Sequence, residues 1–165
     1  MKELGKDERL LCELQGHIFE KSAGEYGTSS AVFVRRYMNS DYAARMDRLG
    51  FIDRPTDEQE AFASLDAQYG NSQYGSELYS PDELYWMGYI YRYWVCTYGI
   101  SSKTVYKMSN VREMHSVYYA YHSLDPLQAI QRLMEAKGLS FQEDEQIATG
   151  VRVLRKIRSS ESSHD

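Results

Sequence analysis

A single compact all-α bundle of about seven or eight helices is the fold this sequence predicts, and three observations carry the prediction. Apolar residues recur at helical spacing along most segments, while no alternating run has the strength of a strand. Segments open at Ser, Thr, Asn or Asp and stop at Gly, as capped helices do. The stretch 80–99, SPDELYWMGYIYRYWVCTYG, carries apolar or aromatic residues on every face, and after Asp82 and Glu83 its only charge is Arg92. A helix with no wet side must be covered by others, so 80–98 is predicted to be the central aromatic helix.

The first segment, 7–22, sets Leu10, Leu11, Leu14, Ile18 and Phe19 on one stripe, and the glycines within 23–28 end it. Ser29 or Ser30 then caps a helix that buries Val32, Phe33, Tyr37 and Met38 and turns Arg35 and Arg36 toward water. Asn39, Ser40 and Asp41 all compete for backbone hydrogen bonds, so a break and a fresh cap are expected there. The next helix carries Tyr42, Met46 and Leu49 and stops at Gly50. Residues 51–55 read as a linker, and Thr56 with Gln59 as a capping box for a helix with Phe62, Leu65 and Tyr69. Segment 69–79, with two glycines plus Asn71, Ser72 and Ser76, is the most loop-like interior stretch, expected to be mobile or to contact a partner.

Ser80, Pro81 and Glu83 give the central helix a cap, a first-turn proline and a capping-box acid, and Gly99 is its stop. Ser101 caps a short helix, and Ser109 or Asn110 opens another turn through Met114. The aromatic strip 117–124, VYYAYHSL, leaves helix and extended chain both open. Asp125 and Pro126 start a helix with Leu127, Ile130, Leu133 and Met134 that Gly138 ends. Ser140 and Glu143 form a third capping box for a last helix reaching about residue 158, with Ile147, Val151, Leu154 and Ile157 on one face. The expected organisation is one helical domain over 1–158 and a disordered polar tail over 159–165.

Composition narrows the function. Fifteen tyrosines against five phenylalanines give many large rings whose hydroxyls want partners, either at the edge of a core or on an adhesive surface. A formal charge of −5 argues against a wholly basic nucleic-acid binder, though it leaves room for a local basic face. Cys12 and Cys96 lie far apart in the chain and are expected to be buried free thiols. The charged start lacks a secretory core and the central helix is too polar to span a membrane, which points to the cytoplasm. No CxxC or HExxH spacing, phosphate loop or nucleophile elbow occurs, so no catalytic residue, metal site or cofactor is assigned. Arg152, Arg155, Lys156 and Arg158 complement a helix C-terminus and require no partner.

The sharpest local motif is the junction at 95–108. A long helix ends at Gly99, Ile100 is the apolar turn residue, Ser101 caps, and an apolar residue follows four places on, as in a helix-turn-helix. On that alternative Ser101, Ser102, Lys103 and Tyr106 face a groove of DNA, with Lys107 and Arg112 on phosphates. Val95 occupies the position where such a motif normally has alanine. Arg92, inside an aromatic helix, needs a carboxylate, a carbonyl or a ring: a structural ion pair, or else a partner's acid.

Three stretches, FVRRYMNSDYAARMD (33–47), LYWMGYIYRYWVCTYGISSKTVYKM (84–108) and YYAYHSLDPLQAI (118–130), resemble small bacterial proteins of mobile elements found beside ADP-ribosyltransferase-like toxins. YIYRYW and SSKTVYK are the most specific pieces. The resemblance implies an antitoxin-like or regulatory binding protein and supplies no catalytic residues. The expectation is a non-enzymatic intracellular protein that engages a protein partner, a toxin, through a tyrosine-rich surface. Tyr69, Tyr74 and Tyr79 are its first candidates, with Arg92 and Tyr106 second. A helix-turn-helix DNA-binding regulator and a mobile-element inhibitor of a host nuclease or defence complex are the alternatives.

Overall fold

The computed structural model describes residues 4–49, 58–71 and 73–139. Among them are eight helices and no strand: α1 (Lys6–Glu25), α2 (Ser30–Met38), α3 (Asp41–Leu49), α4 (Glu58–Tyr69), α5 (Pro81–Tyr98), α6 (Ser102–Met108), α7 (Val111–Tyr121) and α8 (Pro126–Ala136). The predicted all-α bundle around an aromatic central helix is what forms. The linker 51–55, Thr56 of the second capping box, the box at Ser140, the final helix and the tail lie outside the described residues.

The central helix forms where its end signals place it. Ser80 Oγ accepts a hydrogen bond from the Glu83 N–H at 3.2 Å, and Gly99 closes the helix at φ 64°, a left-handed conformation that costs a side-chain-bearing residue about 1–2 kcal/mol. Its buried residues include Leu84, Met87, Ile90, Tyr91, Arg92 and Trp94, and after the exposed Pro81 and Asp82 a stripe with Tyr85, Tyr89, Tyr93 and Cys96, together with Tyr98, is half-exposed. The capping box is half made, which corrects the expectation: the Glu83 carboxylate turns away from Ser80 and pairs with His115 on α7.

α1 runs antiparallel along α5 and forms the tightest seam in the molecule. A Cβ on Gly88 would stand 2.6 Å from the Gln15 carbonyl oxygen, and one on Gly16 would stand 2.8 Å from the Tyr85 ring, so the two glycines let the backbones approach. Gln15 Nε2 uses that closeness to donate to the Gly88 carbonyl at 2.9 Å. The helix is longer than predicted, and Leu10 falls off the buried stripe at 52% exposure while Cys12 and Gln15 lie inside.

Between Phe19, Phe33 and Tyr37 the rings meet mainly edge to face, with centroids 5.0 to 5.9 Å apart, the geometry aromatic quadrupoles favour. The expected break at 39–41 is present, because Ser40 Oγ donates to the Tyr37 carbonyl and accepts from the Ala43 N–H, ending α2 and capping α3. The strip left open in the sequence is helical as far as Tyr121. Asn110 caps α7, and Val111, Met114, Val117, Tyr118 and Tyr121 recur at helical spacing against the core. Among the described residues no helix is long and apolar enough to cross a membrane.

Candidate functional site

The loop between α4 and α5 is held by the start of α2. A helix N-terminus leaves N–H groups without intrahelical acceptors, and here the Ser29 N–H donates to the Tyr74 carbonyl at 2.7 Å and the Ser30 N–H to the Glu77 carbonyl at 3.0 Å. Ser30 Oγ in turn accepts from the Tyr79 N–H at 2.9 Å. Gly75 makes the docking possible: its φ is +71°, and a Cβ there would meet Ser29 Oγ at 2.8 Å. The segment thus has no regular structure but has a defined seat, with Tyr74 and Leu78 facing outward at 60% and 52% exposure.

Arg36 on α2 organises one side of this loop. Its guanidinium lies over the Tyr69 ring at 5.5 Å and the Tyr74 ring at 5.7 Å, and it donates to the Tyr26 hydroxyl at 3.2 Å. The Tyr69 hydroxyl donates to the Arg36 carbonyl at 3.1 Å, which fixes the ring beneath the cation. On the other side Tyr79 stacks flat on His115, with centroids 4.0 Å apart and an interplanar angle of 7°.

Electrostatics tie these pieces to Tyr106. Burial raises the Tyr69 phenol above its ordinary value, with Arg36 and Arg35 opposing. Burial likewise raises Tyr106, against Arg35 and Arg112, and raises Tyr79, with Glu77 and Glu83 adding and Arg112 opposing. Arg35 therefore acts on both Tyr69 and Tyr106, and Arg112 on both Tyr106 and Tyr79. Four of the five tyrosine and arginine positions nominated from sequence, Tyr69, Tyr74, Tyr79 and Tyr106, share one face with Arg35, Arg36 and Arg112. The raised phenols of Tyr69, Tyr79 and Tyr106 stay protonated at neutral pH, so these residues offer rings, hydroxyls and cations and no activated nucleophile.

The fifth position, Arg92, is elsewhere, and its expected contact with a partner is corrected. It is 1% exposed, and its Nε donates to Gln15 Oε1 at 2.9 Å, one terminal nitrogen to Asp47 Oδ1 at 2.6 Å and the other to Ser102 Oγ at 3.2 Å. Ser102, expected to face DNA, is also 1% exposed; its N–H and hydroxyl both donate to Asp47, at 2.7 and 2.6 Å. Ser101 accepts from the Thr104 N–H as the helix cap. Of the DNA-facing set, Lys103, Lys107 and Arg112 are exposed and Tyr106 is half-buried.

Sequence reasoning missed Arg35, Arg36 and His115 beside the tyrosines, and Asp47 and Gln15 around Arg92. The need for a carboxylate was visible in Arg92 itself, but nothing in the chain says which of 24 acids supplies it.

No protein-family model matches the chain, and no curated protein and no solved structure matches it either.

Proposed function

We propose that this protein is a non-enzymatic cytoplasmic binding protein, antitoxin-like, that engages a protein partner through the face of Tyr69, Tyr74, Tyr79 and Tyr106 with Arg35, Arg36 and Arg112. The observation that carries this reading is the loop seated on α2 with Arg36 stacked over both Tyr69 and Tyr74. Tyrosine and arginine dominate the energetically important positions of interfaces. A pinned loop loses little further freedom on binding, which leaves more of the contact energy as affinity. Arg35 and Arg112 are exposed and Arg36 lies beside Tyr69 and Tyr74 on a chain of net charge −5, so carboxylates on the partner would complement these cations. The sequence resemblance makes a toxin encoded beside it the partner to expect.

The test is affinity capture of the tagged full chain from its native host, comparing it with Tyr74→Ala/Arg112→Glu. A stoichiometric protein partner should co-purify with the unaltered chain and be lost from the double variant. Recovery of no such partner would overturn the proposal. The exposed Lys103 and Lys107 favour the DNA-binding alternative, while the burial of Ser102 counts against it. Retardation of promoter DNA at low salt, abolished by Lys103→Glu/Lys107→Glu, would move the assignment to that reading.

A further inference from the structure

Cys12 and Cys96 are 84 positions apart in the chain and adjacent in the fold. The glycine-mediated seam explains why. On α1, Glu8 lies one turn before Cys12 and Gln15 one turn after it. On α5, Arg92 lies one turn before Cys96. Glu8 and Cys96 line the same cavity of about 290 Å³, and Gln15 is bonded to Arg92, so the two cysteines are bracketed on both sides by contacts across the seam. Neither is in a disulfide, and Cys12 lies close enough to Cys96 for that contact to raise its thiol.

We propose that this pair is a site of reversible oxidative modification, in which a small peroxide entering the cavity oxidises Cys96 and Cys12 resolves the product as an α1–α5 disulfide. The two sulfurs are placed unequally for such a sequence. Cys96 is half-buried on the cavity wall, whereas Cys12 is 0% exposed behind it. The contact with Cys96 and burial push the Cys12 thiol up, so it keeps its proton, and the Arg92 cation lies near both sulfurs.

In the first step the Cys96 sulfur attacks one peroxide oxygen. The S–O bond forms, the O–O bond breaks, and the departing oxygen takes a proton to leave as water or an alcohol. In the second step the Cys12 sulfur attacks Cys96. The S–S bond forms, the S–O bond breaks, and hydroxide leaves as water with the Cys12 proton. Two thiols have then lost two electrons to one peroxide bond, and a thiol reductant reverses the change.

The experiment uses the full chain treated with hydrogen peroxide while folded, then quenched, unfolded in urea and alkylated, and read by intact mass and peptide mapping. The expected result is loss of both alkylation sites, a mass lower by two hydrogens, a Cys12–Cys96 linked peptide, and recovery of both thiols with dithiothreitol. Cys12→Ala should trap Cys96 as a sulfenic acid that dimedone labels, and Cys96→Ser should leave Cys12 fully alkylatable. Both thiols remaining alkylatable at peroxide levels that oxidise glutathione would overturn the proposal. So would a disulfide found only between chains on a non-reducing gel. The unaltered chain alone decides between these outcomes, whether or not the variants fold.

Discussion

Arg92 and Arg36 both neighbour tyrosine, and they do opposite work. Under the seam, Arg92 is enclosed by Gln15, Asp47 and Ser102, while the Tyr37 hydroxyl completes Gln15 by donating to its Oε1 at 3.1 Å. The polar atoms there find partners within the fold, so the network sets the positions of α1, α3, α5 and α6. On the face, Arg36 lies over two rings with solvent beyond, and the loop it stacks on is held by backbone groups. The same residue types serve as scaffold where burial is complete and as adhesive surface where it is half complete. A tyrosine-rich composition therefore contains both, and only packing separates them.

The largest expected effect comes from breaking the scaffold. Asp47→Ala leaves the Arg92 guanidinium buried without its counter-charge and removes the acceptor of Ser102, so unfolding in urea should show a loss of about 3–5 kcal/mol. A loss below about 1 kcal/mol would mean that the network is relaxed by water and does not set the helix positions. Next comes the seam itself. Gly88→Ala drives a Cβ into the Gln15 carbonyl, a backbone atom that cannot swing aside, and should cost about 1–3 kcal/mol. Gly24→Ala, with nothing within 4 Å, is the control of opposite sign and should stabilise by roughly 0.5 kcal/mol.

Alkaline titration probes the same contrast through the phenols. Burial pushes Tyr37 and Tyr91 above the ordinary value of about 10, so above that pH the unfolded chain binds fewer protons than the folded one. Stability is then fully present below about pH 10 and falls as pH rises further. The melting temperature should be level between about pH 7 and 9 and decline beyond about 10, with tyrosinate absorbance from the buried rings appearing together with unfolding. Ionisation of every tyrosine near pH 10 in a chain that stays folded would contradict the burial of Tyr37 and Tyr91.

The sequence was most legible where local chemistry decides. Ser80 and Gly99 bound the central helix because capping acts within one turn, and the aromatic residues around its circumference demand cover whatever the partners are. Legibility ended where the deciding contact is distant. Ser102 points inward because Asp47, 55 positions away, takes both of its donors; the Glu83 carboxylate leaves Ser80 and pairs with His115, 32 positions on. Turn composition picked out Tyr69, Tyr74 and Tyr79. The Arg36 stack that joins Tyr69 to Tyr74 exists only once the loop has docked on α2, an event no spacing in the loop records.

The smallest effect on stability is expected at Tyr74, and it bears most directly on the face. The loop is held through the Tyr74 carbonyl and not its ring, so Tyr74→Ala should change folding stability by no more than about 0.5 kcal/mol. Removing the ring takes away an exposed anchor and one of the two surfaces beneath Arg36. Affinity for the captured partner should therefore fall about 30-fold or more, the equivalent of the roughly 2 kcal/mol that marks a dominant interface residue. Gly75→Ala separates ring from backbone: its φ of +71° and the 2.8 Å approach to Ser29 mean that it unseats the loop while leaving every side chain of the face chemically unchanged. Comparable losses from both variants would show that the ring must be presented from a fixed loop. A loss from Gly75→Ala alone would assign recognition to the backbone of 70–80, and full binding by both would remove this face from the interface.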